Sequence, residues 1–234
     1  MNHLAVITGT HRGLGHALAK HMLSTGRYMV WGISRYNEIE HPNFHFHQTD
    51  LSSSDAVDSL PDIPTHFHSY TLIHNAGILQ PIAPAHRIQP TELQRIYQIN
   101  ILSAHLLSAW FIRQTLPVTA SKHILHISSG AGRYPVTHWS AYCATKAALD
   151  MLSQCLALEY PQYRVYALAP GMVDTDMQSF IRSHTPDTFP EVQRFKSAKE
   201  LNQLLDPLMV SNKIIHLIEN STTSLPVKIS IKDL

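Results

Sequence analysis

Cysteine is the scarcest reactive residue here: two in 234 residues, Cys143 and Cys155. Two thiols cannot build a disulfide framework, so the chain is expected to work reduced, in the cytoplasm. An excess of either charge is also lacking. There are 18 Lys and Arg against 17 Asp and Glu, a formal net charge of +1. That balance offers no electrostatic footprint for nucleic acid or for an anionic membrane surface. No apolar run approaches the roughly 18–20 residues that span a bilayer. The opening Met1-Asn2-His3 has neither the basic region nor the apolar stretch of a secretory signal. Internal repeats, low-complexity tracts and linkers are missing as well. What the chain does have is 44% apolar residues and only 15% charged ones. That composition supports a large core and argues against disorder, and the length suits one domain, 1–234.

Short apolar runs alternate with longer helical patterns. The strand candidates are Leu4–Thr8, Met29–Ser34, Phe44–Gln48, Thr71–His74, His123–Ser128, Arg164–Leu168 and Val227–Ile231. Several are apolar nearly throughout and are followed by turn residues, as in strands buried on both faces. Helices are expected over Leu14–Ser24, with Leu14, Leu18 and Met22 on one stripe and Gly26 as its stop, and over about 91–114, 140–159 and 206–219. This alternation predicts an α/β fold: a doubly wound, mostly parallel sheet of about seven strands with helices on both faces. The stretch at about 174–200 has weak periodicity and many polar residues. Following a strand's carboxyl end, it reads as a lid over a site rather than a second domain.

The first strand ends in Thr8-Gly9-Thr10-His11-Arg12-Gly13-Leu14-Gly15 and opens directly into a helix. Gly9 permits a tight turn, Gly13 lets backbone approach a pyrophosphate, and Gly15 allows close helix packing. The free N–H groups and positive dipole end of that helix suit an anion. A plain strand–helix turn can also carry glycines, so this motif depends on its context. The second strand ends Trp31-Gly32-Ile33-Ser34-Arg35, without the acid that usually holds a ribose 2′-hydroxyl. Arg35, Ser34 and Arg12 suit a 2′-phosphate instead, because guanidinium forks bind phosphate bidentately. The alternative is that both arginines are solvated surface.

Tyr142 and Lys146 stand four apart in a helical pattern, so they share a face. An ammonium beside a phenol favours phenolate, and Tyr142 is expected to have a lowered pKa and to act as a general acid toward a carbonyl. Ser129 closes the strand ahead of it, on the ligand-binding edge of such a sheet. Its hydroxyl could hold the carbonyl oxygen.

In these residues and their order the chain resembles the short-chain dehydrogenase/reductase family over essentially its whole length. The resemblance rests on TGTHRGLG at 8–15, Asp50-Leu51, His74-Asn75-Ala76-Gly77, Asn100, Ser129, YCATK at 142–146 and PGMVDT at 170–175. It implies a single-domain Rossmann fold. It implies Tyr142 as acid/base, Lys146 as the residue that tunes it and holds the nicotinamide ribose, Ser129 as substrate anchor, and Asn100 as support for a water-linked relay. Asp50 and Leu51 would flank adenine, and Asn75, Ala76 and Gly77 the adenosine ribose. Val173 and Thr175, after Pro170 and Gly171, would meet the carboxamide. His74 departs from the family's usual asparagine, which puts the bracing of its strand in question. Within the family, GISR at 32–35, the run 129–151 and VDTDMQSFIR at 173–182 resemble sepiapterin reductases and bacterial benzil reductases.

The 17 histidines invite a metal site. His45 with His47, and His66 with His68, could share strand faces, yet no third ligand stands at a suitable spacing and no metal is expected. Cys143 lacks the partners of a nucleophile and reads as packing. Trp139 and Met177 flank the expected catalytic segments as substrate contacts, or else fill core. The expectation is an NADPH-dependent reductase of a small ketone or vicinal dicarbonyl. The alternatives are a pterin side-chain reductase, another short-chain alcohol dehydrogenase, and a silent dinucleotide-binding redox sensor. By the resemblance, the partners are a small carbonyl substrate and further copies of the chain, as a homodimer or homotetramer. An acid that anchors pterins would align with Ser230, leaving Asp233 as the nearest carboxylate.

Overall fold

A computed structural model describes residues 1–220 and 225–234. Seven parallel strands form one sheet: β1 (His3–Thr8), β2 (Tyr28–Ser34), β3 (Phe44–Gln48), β4 (Ser69–His74), β5 (Ser121–Ile127), β6 (Arg164–Ala169) and β7 (Lys228–Ser230). Their order is β3-β2-β1-β4-β5-β6-β7. The chain winds outward from β1 in one direction, then crosses back to lay β4 on β1's other side. The crevice beyond the carboxyl ends of β1 and β4 is therefore the topological switch point where such sheets bind ligands.

Period-two alternation along the strands divides the core between two faces. In β1, Ala5 and Ile7 pack with α1 (Gly13–Ser24) and α7 (Pro207–Asn220). Leu4 and Val6 face the opposite layer, which holds α3 (Ser103–Thr115) and α4 (Ser140–Glu159). The Leu14, Leu18 and Met22 stripe of α1 is buried, as its spacing predicted. Burying each such side chain fully is worth about 1.5–3 kcal/mol.

The helix expected at about 91–114 is interrupted. It runs as α2 (Pro90–Tyr97), a π turn over Gln98–Leu102, and then α3. The wide turn lets Asn100 reach sideways to the β4 loop, a contact that no periodicity reveals. The terminal strand is shorter than expected, and a 3₁₀ turn occupies Ile231–Asp233. His66 and His68 lie ahead of β4 rather than on a strand, and His47 sits against Trp31 with ring centroids 4.8 Å apart. Segment 174–204 is an excursion with a closed neck, where Val173 bridges Leu205 and Leu205 N–H donates to the Met172 carbonyl at 2.8 Å. It holds α5 (Asp176–Arg182) and α6 (Val192–Glu200).

Candidate active site

The carboxyl ends of the strands open into one cavity of about 1170 Å³. Every expected cofactor and substrate residue lines it except Gly15, and Asn100 stands just behind its wall. Gly9 and Gly13 take φ of +72° and +60°, the left-handed region that glycine adopts freely. A Cβ on Gly15 would lie 2.3 Å from the Gly9 carbonyl oxygen and 2.4 Å from Asn75 Nδ2. Gly15 thus lets α1 press against the turn itself. The start of α1 carries no side-chain cap and no acid in its first turn, leaving N–H donors free. Asn75 fastens the far wall: its Nδ2 donates to the Thr8 carbonyl at 3.0 Å. The Thr8 hydroxyl accepts from the N–H groups of Asn75 and Ala76. Asp50 Oδ1 accepts from the Ser52 N–H at 3.0 Å, which together with the Ser52 side chain holds its carboxyl below the usual range.

The basic residues at the glycine turn and at the end of β2 have partners of their own. Arg12 and Arg35 line the same cavity, and Arg12 Nη1 reaches Asp176 on α5 at 3.1 Å, in an exposed pair. The Arg35 guanidinium lies 5.8 Å from the Tyr36 ring centroid, and the Ser34 hydroxyl donates to the Tyr36 carbonyl. His11 also packs against Tyr36, 5.5 Å between ring centroids.

Tyr142 is buried, and burial pushes its phenol up to about 12, opposed only in part by the hydrogen bond with Ser129. This corrects the expectation of a lowered pKa. Lys146 Nζ sits 5.7 Å from the phenol ring centroid and donates to the Ile127 carbonyl at 2.7 Å, and desolvation outweighs its charge at the phenol. Burial also lowers Lys146 itself to about 8, with Asp150 pulling the other way. Asn100 is wholly buried, accepting from Ile78 N–H and donating to the Ile78 carbonyl, both at 2.8 Å, and donating to Thr145 Oγ1 at 3.1 Å. A Cβ on Gly77 would meet Asn100 Oδ1 at 3.4 Å and Lys146 Nζ at 3.5 Å, so the two groups converge on one spot. His74, in place of the usual asparagine, braces its strand through Ser103 Oγ at 3.1 Å.

The apolar wall beside Tyr142 is built from distant segments. Trp139 meets the Tyr142 ring edge-on at 5.6 Å and stacks on Phe189 at 5.2 Å, with Phe195 at 5.4 Å. Met177 and Cys143 pack against the same cluster. Motif reading missed Phe189, Phe195, Arg133 and Tyr134. The aromatic residues of the 174–200 stretch carried no periodic signal, and the partners of Arg133 lie 17 to 96 positions away. At the other rim, Asp233 Oδ2 accepts from the Ser230 N–H at 2.7 Å, closing a capping box instead of facing the cavity.

Comparison with known proteins agrees with this geometry. A family model described as short chain dehydrogenase matches residues 3–186. The chain is 34% identical to a benzil reductase ((S)-benzoin forming) of Bacillus subtilis (strain 168), covering 94% of both chains. It is 30% identical to a sepiapterin reductase of Bos taurus, over 93% of this chain and 90% of that one. The solved short-chain dehydrogenase/reductase YIR035C of Saccharomyces cerevisiae superposes with a TM-score of 0.82 at 26% identity, covering 100% of this chain and 97% of the other. An oxidoreductase site on a parallel, doubly wound sheet and a family match over most of the length lead to one conclusion: the chain belongs to the short-chain dehydrogenase family.

Proposed function

We propose that this protein is an NADPH-dependent carbonyl reductase acting on small vicinal dicarbonyls. One observation carries the reading: the Tyr142 phenol and Ser129, with Trp139 edge-on against the phenol, share one cavity with a glycine turn that leaves room for backbone alone. The left-handed glycines, the uncapped α1 and the cavity's size fit a dinucleotide. Gly9, His11, Arg12, Gly13 and Leu14 would cradle its phosphates, with Ser34 and Arg35 at a 2′-phosphate. Asp50, Leu51, Asn75, Ala76 and Gly77 would hold the adenosine half, and Pro170, Gly171, Val173 and Thr175 the nicotinamide half. When bound, NADPH supplies the hydride.

The protein's own residues do the rest. Ser129 holds the carbonyl oxygen against Tyr142, which is protonated at neutral pH and donates to it. Lys146 brings a positive charge behind the phenol, which stabilises the phenolate left after donation. Asn100 keeps the Ile78 loop in place beside Lys146. The 174–200 segment acts as the lid, seating Phe189 and Phe195 on Trp139 and excluding water.

A diketone suits this wall better than a pterin. A pterin's adjacent N–H donors call for a carboxylate, whereas the carboxylates lining the cavity, among the described residues, are Asp50 and Asp176. Asp176 pairs with Arg12 at the glycine turn, and Asp233 is engaged with Ser230. The relatives bear names of both activities, benzil and sepiapterin reductase. The test is NADPH oxidation with benzil and with sepiapterin, in wild type and Tyr142→Phe. Benzil should show the higher kcat/KM, and the variant should lose at least about a hundredfold in kcat while still binding NADPH. Turnover by the variant close to wild type defeats the mechanism, and a preference for sepiapterin defeats the substrate assignment.

A further inference from the structure

Behind the site lies a charged group to which the mechanism gives no part. Asp150 sits one turn beyond Lys146 on α4 and is 4% exposed. A carboxylate at that depth is costly unless its oxygens are satisfied. One oxygen accepts a short hydrogen bond from the Ser128 hydroxyl, and the other lies 3.4 Å from Arg133 Nε. Arg133 in turn donates through Nη2 to the carbonyls of Ala167 at 3.3 Å and Ile229 at 2.8 Å, tying in β6 and β7. Ser128 and Arg133 flank the Ser129–Gly132 turn, and Gly132 lies so close to α4 that a Cβ would be 2.8 Å from the Lys146 carbonyl carbon.

Lys146 is faced by groups from several elements. From α4 come Tyr142 and Asp150; β4 contributes His74, β5 contributes His126 and the Ile127 carbonyl, and Asn100 approaches from the π turn. Burial keeps His74 and His126 neutral near physiological pH, and the Lys146 charge disfavours their protonation further. Asp150 is the group among them whose charge opposes the loss of the Lys146 proton.

We propose that Asp150 is a positioning residue: the buried counter-charge that keeps Lys146 an ammonium, and the post that holds both ends of the Ser129 turn. It acts through Lys146 and Ser128 without touching substrate. The inference rests on the roles proposed above for Ser129, Tyr142 and Lys146. Burial alone drives a lysine toward the neutral amine, which could neither stabilise a phenolate nor donate to ribose hydroxyls with a full charge. A carboxylate one helical turn away counters that by about one pH unit or more at the effective dielectric of protein interiors.

The experiment is competitive acetylation of the purified protein with acetic anhydride from pH 6 to 11, with Lys146 read by mass spectrometry, in wild type and Asp150→Asn. The wild-type midpoint should fall near 8, and that of Asp150→Asn about one unit lower, a tenfold change in the proton equilibrium. The alkaline limb of kcat/KM for benzil should move by the same amount. Equal midpoints in the two proteins overturn the proposal, even if Asp150→Asn melts at a lower temperature, because a purely structural post would change stability alone. Should Asp150→Asn not fold, the wild type still decides, since a Lys146 midpoint below 7 would mean that Asp150 does not sustain the ammonium. Shifted midpoints alongside a fully active Tyr142→Phe would leave this proposal standing and remove the carbonyl-reductase reading instead.

Discussion

Replacing Arg35 with alanine isolates the contact on which the NADPH preference rests. The two arginines do not start from equal positions. Arg12 must first give up its pair with Asp176, at 3.1 Å with side chains 68% and 70% exposed. A pair so exposed is worth at most about 1 kcal/mol. Arg35 has a looser tie, its guanidinium lying beside the Tyr36 ring. A charge-assisted hydrogen bond to phosphate contributes about 1.5–3 kcal/mol, or roughly tenfold to a hundredfold in affinity. Arg35→Ala should therefore weaken NADPH by that factor and change NADH by less than about threefold, the range of an ordinary surface substitution. Arg12→Ala should cost less, because the energy of its existing pair is subtracted. Fluorescence titration of both cofactors at low and high salt measures this, and the Arg35 effect should shrink as salt screens the exposed charges. Equal losses for NADPH and NADH would refute the reasoning and move Arg35 away from the 2′-phosphate.

Two further outcomes follow from the packing. Gly15→Ala would drive a methyl into the Gly9 carbonyl at 2.3 Å, a backbone atom that cannot swing aside. It should cost about 1–3 kcal/mol in a denaturant melt and weaken NADPH binding; a stability unchanged from wild type would contradict the close approach. Stability should also fall on mild acidification, because His123 and His126 are held near 4 and 3 by burial against an ordinary 6.5. The unfolded chain then binds protons that the folded one refuses, so stability is intact above about 6.5 and drains as pH falls toward those lowered values. At pH 5 each histidine withdraws about 2 kcal/mol, together a large part of the 5–15 kcal/mol typical of a domain. Melting temperatures that stay flat from pH 7 to 5 would contradict this.

Local patterns were the legible part of this chain. The strands, the α1 stripe, the glycine turn and the Tyr142–Lys146 spacing all depend on residues a few positions apart, where period and turn chemistry leave marks. What stayed hidden depends on meetings across the fold. The rise of the Tyr142 pKa comes from desolvation, in a cluster to which Phe189 and Phe195 bring their rings from α6 and the segment before it. The pairing of Arg12 with Asp176 joins residues 164 positions apart, beyond the reach of any local pattern. The π turn left no trace either, since α2 and α3 both carry helical patterns, and the Asn100 contacts made from it reach residues 22 and 45 positions away.

The crossing from β3 back to β4 has a kinetic consequence. His3 pairs with Ser69, and the Thr8–Asn75 clasp joins positions 67 apart. No hairpin can bring these strands together, because parallel neighbours need a crossover between them. Closing so long a loop costs entropy before any pairing repays it, and chains dominated by distant contacts fold slowly. The two walls of the nucleotide crevice, the glycine turn and Asn75, therefore meet only when the centre of the sheet zips. A partly folded chain holding β1 to β3 alone would own the turn but not the crevice. In a refolding time course, the ability to bind dinucleotide should emerge together with the slow, sheet-forming phase rather than with the early gain of helix.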